Sequence, residues 1–182
     1  RGASSISRPR SWATLLVGTQ PGSIVETSGS TGVALENLTV IGSGGNAGTT
    51  PIIHATNTVD LRAEHINVVG LAVGDGTSVA IGLAGNILGA TVRECAIVAE
   101  RGIARVAVGE RSHLLTGELR VTHNLFFCSQ RAVSLDGTSL HYGTTRIADN
   151  LMLVAGQAAV VATGATLPGS PMGIADNVIY TV

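Results

Sequence analysis

The chain has 182 residues and a net charge of −1; apolar residues make up 45% of it and charged residues only 13%. This length suits one domain with a sizeable core, and the near-neutral charge gives no electrostatic reason to expect nucleic acid or an acidic membrane surface as a partner. No apolar run reaches the roughly 18 residues of a transmembrane helix, so we expect no membrane insertion. Two cysteines cannot make a disulfide framework, and we expect buried free thiols.

A repeat organises the chain after an irregular N-terminal edge at residues 1–11. In each copy a turn residue with a short polar side chain is followed directly by an aliphatic strand. The six copies begin at Asn37, His65, Cys95, Asn124, Asn150 and Asn177. The steps between them are 28, 30, 29, 26 and 27 residues. Self-similarity at this period is typical of solenoids, in which neighbouring repeats stack because one repeat cannot bury its own apolar face.

One repeat shows the order of its parts clearly. Residues 132–135 alternate small and apolar side chains and predict a short strand, and 136–143 form a turn-rich loop. Residues 145–148 predict a second strand and, after a tight corner at 149–150, residues 151–154 predict a third. The sequence therefore predicts an all-β solenoid of about 6–7 coils, each with three short strands in 26–30 residues.

Stacking of the repeats predicts which side chains point inward. We expect the residues one and three positions after each corner to form two inward aliphatic columns. The first column contains Leu38, Ile66, Ala96, Leu125, Leu151 and Val178, and the second contains Val40, Val68, Val98, Phe127, Leu153 and Tyr180. The acids before the corners and the arginines of the second strands would form solvated faces with some pairing between them.

Three short strands per coil with a two-residue corner resemble the right-handed, single-stranded parallel β-helix of the pectate-lyase-like superfamily, from about residue 12 to the C-terminus. In that superfamily the corner often holds Asn, which tolerates a left-handed backbone and hydrogen-bonds its stacked neighbours. The resemblance implies a structural ladder, interrupted at His65 and Cys95. Its members would be Asn37, Asn124, Asn150 and Asn177.

Two other architectures fit the pattern less well. Leucine-rich repeats have a similar period, but they need a regular leucine and asparagine signature and a helical or irregular return. A β-sandwich would lack the recurring corner and its fixed column offsets.

Many members of this superfamily cut acidic polysaccharides, and the sequence offers little for that chemistry. Inverting hydrolysis needs two carboxyl groups about 6.5–9.5 Å apart. The outward positions predicted for the first strands are His54, Ala80, Arg105 or Ala107, Ser134 and Val160, with only Asp136 beside them. A cluster of acids for calcium, which elimination would need, is missing as well. Asp136 is therefore the single catalytic candidate, and we expect neither a cofactor nor catalysis by this chain alone.

Loop side chains supply the candidates for binding. Arg105, Ser134, His141 and Tyr142 are candidate glycan contacts, with the ring of Tyr142 stacking on a sugar. His113 and His141 fall in corresponding loops of adjacent coils and are candidates for a shared metal ion. Exposed loop histidines are the alternative, because stacked repeats align side chains by chance.

The sequence thus predicts a non-catalytic structural or binding segment. It resembles the shafts of phage tail spikes and bacterial surface adhesins, which implies an extracellular, cell-surface or particle-associated location and contact with a polysaccharide or surface glycan. We expect residues 1–182 to be one domain of a longer chain, capped by flanking sequence or by other subunits, for instance in a homotrimer. The alternative is a polysaccharide lyase or glycoside hydrolase whose site is completed by missing sequence or a neighbouring subunit. A metal-delivery solenoid is a third interpretation that depends on the histidines.

Overall fold

The structure is a computed structural model, and it describes most of the chain in nine segments. These are residues 14–18, 22–42, 50–71, 78–106, 114–135, 140–141, 143–156, 158–162 and 171–181. Their regular structure consists of β-strands. Among these residues there is no helix of the length and apolarity that crossing a membrane requires.

Eighteen strands follow one another along the chain. In order they are β1 (Thr14–Val17), β2 (Val25–Ser28), β3 (Ala34–Glu36), β4 (Leu38–Gly42), β5 (Ile53–Thr56), β6 (Val59–Glu64), β7 (Asn67–Gly70), β8 (Val79–Ala84), β9 (Ile87–Arg93), β10 (Ala96–Val106), β11 (Leu114–Thr122), β12 (Leu125–Leu135), β13 (Leu140–His141), β14 (Thr144–Ala148), β15 (Leu151–Val154), β16 (Val160–Ala162), β17 (Met172–Ala175) and β18 (Val178–Thr181).

The strands stack in three rows of parallel pairs and make a β-solenoid. The first row contains β2, β5, β8, the later part of β10, the later part of β12, and β16. The second row contains β3, β6, β9, β11, β14 and β17, with β13 beside β11. The third row contains β1, β4, β7, the start of β10, the start of β12, β15 and β18. The predicted all-β class and stacked parallel architecture are confirmed.

Aliphatic columns from the three rows fill the interior. In the first row Ile53, Ile81, Ile103 and Val133 are aligned by strand register and completely buried. Phe126 is the only aromatic side chain in the core formed by the described residues. The core is therefore built from Val, Ile, Leu and Ala, as a chain with 3% aromatic residues requires.

A residue with a left-handed backbone conformation forms the corner between the second and third rows in every repeat. The corner residues are Asn37, His65, Glu94, His123, Asp149 and Asp176, with φ between 53° and 57°. The sequence predicted the corner correctly at Asn37 and His65. It was wrong by one residue from the third repeat onward, because it placed the corner on the residue that follows the left-handed one.

This one-residue error exchanged the inward and outward sides in two predicted columns from the third repeat onward. Strand register aligns Val68 with Ile97, and Ile97 with Phe126, and all three side chains are completely buried. Val98 and Phe127, which the sequence placed inside, are 41% and 42% exposed. Because side chains alternate between the faces of a strand, a one-residue error moves every later side chain to the other face.

Candidate functional site

The outward side of the third row carries two columns of side chains, which we call the apolar face. One column is Leu15, Thr39, Asn67, Ala96, Leu125, Leu151 and Val178, and the other is Val17, Ile41, Val69, Val98, Phe127, Leu153 and Tyr180. None of these fourteen residues is charged. Thr39 and Asn67 are the polar exceptions, and they satisfy each other because Asn67 Nδ2 donates to Thr39 Oγ1 at 3.2 Å.

Much of this face is open to solvent. Leu15, Val17 and Tyr180 are between 55% and 60% exposed, and Leu151 and Val178 are also exposed. Seven strands about 4.8 Å apart, each four residues long, give the face a flat footprint of about 400 Å². The largest apolar patch on a typical monomer covers about 300–600 Å² and is often functional, so a face of this size is a candidate interaction site.

The outward side of the second row is charged by contrast. Arg62 pairs with Asp60 at 3.1 Å, and Arg120 pairs with Glu118 at 2.8 Å. These ion pairs connect residues two positions apart on the same strand, and their side chains are about half exposed. The solenoid therefore presents one solvated, ion-paired side and one uncharged side.

A shallow groove of about 400 Å³ crosses the end of the third-row strands. Val98, Phe127 and Leu153 line it in three successive coils. Glu100 is the only charged residue in its lining. The Glu100 carboxylate accepts a hydrogen bond from the backbone N–H of Ser78 at 2.5 Å, and the N–H of Glu100 donates to Ser78 Oγ at 3.2 Å. This carboxylate is therefore held by the preceding coil and leaves the groove mainly apolar.

Buried side-chain amides form a ladder directly behind the corners. Asn124 Oδ1 accepts from the N–H of Cys95 at 3.0 Å, Asn150 Oδ1 accepts from the N–H of Asn124 at 2.9 Å, and Asn177 Oδ1 accepts from the N–H of Asn150 at 3.0 Å. The Nδ2 groups donate to backbone carbonyls of the second row. Cys95 occupies the same column, and its thiol donates to the carbonyl of Arg93 at 3.1 Å.

Asn37 does not take part in this ladder, contrary to the sequence prediction. It lies at the left-handed corner, one position before the ladder column, whose first members are Leu38 and Ile66. The sequence grouped Asn37 with the other asparagines because Asn suits both positions. It tolerates a left-handed backbone at an exposed corner, and its amide satisfies backbone groups in the buried column.

The left-handed corners make a testable stability prediction at His123. His123→Val is expected to lower the free energy of unfolding by about 1–2 kcal/mol, because a β-branched residue pays the full steric cost of a left-handed backbone. His123→Asn removes the same exposed imidazole but keeps a residue that accepts this conformation, so its stability should match that of the native chain. Urea unfolding of both variants measures the difference; equal losses would contradict the role of backbone strain.

The predicted glycan contacts do not form a surface site among the described residues. Arg105 is 6% exposed and lies in an inward column aligned with Leu83 and Ala55. Its Nη2 donates to the carbonyl of Gly85 at 3.2 Å, and burial lowers the pKa of its guanidinium to about 10. Ser134 is completely buried. The sequence prediction that Arg105 faces outward is therefore wrong, while Tyr142 lies outside the described residues.

The candidates for catalysis and metal binding lie mostly beyond the described ranges. Asp136 and His113 are outside them, and His141 belongs to β13, whose backbone pairs with β11. Within the part of the chain that the structure describes, no group of three or more His, Cys, Asp or Glu side chains is arranged to hold a metal ion.

Comparison of the chain with protein-family models, curated proteins and solved structures gives no significant match.

The apolar face was not predicted from the sequence, although a signal for it was present. Leu125–Cys128 and Leu151–Val154 are continuous apolar runs, not alternating ones. Such runs are typical of parallel strands that are covered on both sides.

Proposed function

We propose that the chain is a non-catalytic scaffold: a β-solenoid segment that docks through its apolar face within a larger extracellular or particle-associated assembly. The observation that carries the proposal is the uncharged outward side of the third row. Sheets that face water on one side normally alternate apolar and polar residues, whereas both sides of this row are apolar. Covering the exposed side would remove that surface from water, and the hydrophobic effect would drive the association.

The outward side of the first row supports a structural role over a catalytic one. Strand register aligns Glu26, His54, Gly82, Ala104 and Ser134 on this side, and the last three of them are buried. Among these five described positions Glu26 is the only carboxylate. Glycoside hydrolysis by the common route needs two carboxyl groups that flank the scissile bond. His54 Nε2 is already engaged with Thr56 Oγ1 at 3.2 Å.

Membership of the pectate-lyase-like superfamily is part of the same proposal. Three strand rows per coil and the side-chain ladder of Asn124, Asn150 and Asn177 support it. The resemblance to tail-spike and adhesin shafts also favours a load-bearing segment, because a continuous stack of paired strands and amides gives a rigid rod.

A turnover assay tests the non-catalytic part of the proposal. The purified chain is incubated with pectin and with alginate, and unsaturated uronates and new reducing ends are measured. We expect no product above that of heat-denatured protein. Turnover that is lost in Asp136→Asn but kept in Asp149→Asn, a matched change at an exposed corner, would contradict the scaffold and establish the lyase or hydrolase alternative.

A further inference from the structure

We propose that the partner on the apolar face is a second copy of this chain, packed face to face with its solenoid axis reversed. This inference rests on the proposed docking function and adds the identity of the partner. Two sheets would then lie about 10 Å apart, as in other sheet-on-sheet packings. The assembly would be a closed dimer with a two-fold axis.

The charge distribution is the first argument for a second copy. A partner must cover fourteen outward positions that include no charge, so its own surface must be uncharged over the same length. Another copy presents such a surface by construction. The second-row side cannot serve, because Arg62, Asp60, Arg120 and Glu118 would lose water on being covered.

The size of the face is the second argument. A standard interface buries about 800 Å² of accessible surface on each partner. The flat footprint of about 400 Å² counts the plane of the sheet alone, and side chains that stand out from it increase the accessible area toward the standard value. A smaller contact, such as one short strand or a single loop, would leave several of the seven rungs uncovered.

The order of side chains along the face favours the antiparallel arrangement. We place the two-fold axis parallel to the strands and over Val98, the middle of the seven rungs. Phe127 then faces Val69 of the second copy, and Tyr180 faces Val17. In the column that contains Val98, large residues of the C-terminal half thus meet smaller ones of the N-terminal half, so the gap between the sheets stays even. With parallel axes, the large residues would crowd at one end.

The same arrangement covers the groove. Val98 of the second copy would lie opposite Val98, and Ile41 of the second copy would lie opposite Leu153. These side chains would fill the apolar space between Val98, Phe127 and Leu153. The groove and the apolar face therefore have one common explanation.

Light scattering on the full chain tests the stoichiometry. At micromolar concentration the native protein should have twice the 18.4 kDa mass of the chain. Val98→Asp would bring two carboxylates together on the axis and should raise the dimer dissociation constant on the order of 100-fold, because like charges facing each other in an interface cost several kcal/mol. A monomer or a trimer for the native chain would overturn the inference.

Two matched variants locate the contact. Thr91→Asp adds the same charge on the second-row side, beside Arg62 and Arg120, and Ile174→Asp adds it at the end of the stack, where Ile174 is 50% exposed. Both should remain dimeric. Dissociation by Ile174→Asp without dissociation by Val98→Asp would show end-to-end stacking and contradict face-to-face packing. Circular dichroism confirms that each variant is folded before its mass is interpreted.

Cross-linking tests the orientation independently of any destabilising charge. Facing Cα atoms in sheets ~10 Å apart are too distant for a disulfide, so a thiol-specific cross-linker about 5 Å long is used. It should link Val98→Cys, whose two thiols face each other on the axis, much faster than Phe127→Cys, whose counterpart lies about two rungs, or ~10 Å, away along the solenoid. Failure of Val98→Cys to cross-link in a dimeric protein would overturn the antiparallel arrangement.

Polyuronide turnover would refute the scaffold function whatever the mass of the protein in solution, so the two proposals can fail separately.

Discussion

Replacement of Asn150 by alanine is expected to lower the free energy of unfolding by about 4 kcal/mol, one of the largest effects available to a single substitution in this chain. Asn150 is 2% exposed, and its amide has partners in two neighbouring coils. Its Oδ1 accepts from both nitrogens of Asn124, and its Nδ2 donates to the carbonyls of Val121 and Ala148. Alanine leaves these groups unpaired in a space from which water is excluded.

The end of the ladder provides the matched comparison. Asn177 makes similar contacts but is only partly buried, so water can replace its amide. Asn177→Ala should therefore cost about 1–2 kcal/mol. Asn150→Asp should be at least as damaging as alanine at neutral pH, since a carboxylate cannot donate to the carbonyls of Val121 and Ala148. Denaturant unfolding measures all three, and a loss at Asn150 no larger than at Asn177 would contradict the ladder's stabilising role.

Ionisation of the two buried thiols is expected to destabilise the fold by about 4 kcal/mol between pH 9 and pH 11, before the opposing contribution of Arg105. Burial raises the pKa of the Cys95 thiol to about 11 and that of Cys128 to about 12, from an ordinary value of 9.0. Between pH 9 and pH 11 the unfolded chain therefore releases two protons that the folded chain retains, and stability falls as pH rises. Arg105 acts in the opposite direction above pH 10, because its lowered pKa lets the folded state lose a proton first.

The amino-acid composition simplifies the interpretation of this pH dependence. The chain contains no lysine, whose ammonium groups would otherwise ionise over the same range of pH. Chemical denaturation at a series of pH values should give a flat profile up to about pH 9 and a fall above it. Cys128→Ala should remove about half of the dependence on pH, whatever its effect on stability at neutral pH. An unchanged slope in that variant would contradict the assignment.

Both thiols are free and buried, as the sequence predicted. Cys95 lies in the ladder column, where its thiol donates to carbonyl oxygens of Ala63 and Arg93. It therefore performs part of the role of the asparagines that follow it. Burial also raises the pKa of both thiols, so thiol reagents should modify them only when the fold opens.

The period of the repeat was enough to predict the fold class, since steps of 26–30 residues with a fixed strand order leave few architectures. The strand register was harder to predict, because either of two adjacent residues in each repeat could form the corner. Glu94 adopts the left-handed conformation, although Cys95 looked like the corner from its place before an aliphatic run. Choosing Cys95 and Asn124 as corners placed Val98 and Phe127 in the predicted core, so the sequence did not predict the apolar face.

Arg105 shows a second limit of reasoning from residue type. An arginine in a strand is normally read as an outward position, yet strand register puts this one in line with Leu83. Its stem occupies an aliphatic column, while its guanidinium reaches the carbonyl of Gly85. Alternation along β10 puts Ile97, Ile103 and Arg105 on the same side of the strand, so the correct corner at Glu94 would have predicted the inward position of Arg105.

Hydroxyl-radical footprinting of the native chain beside Val98→Asp tests most directly whether a second copy covers the apolar face. In the native protein, Phe127, Leu151 and Tyr180 should react several-fold more slowly than in the variant, while Ile174 at the end of the stack should react equally in both. Equal reactivity of Phe127, Leu151 and Tyr180 in the two proteins would mean that the face is open in solution, and it would contradict the account.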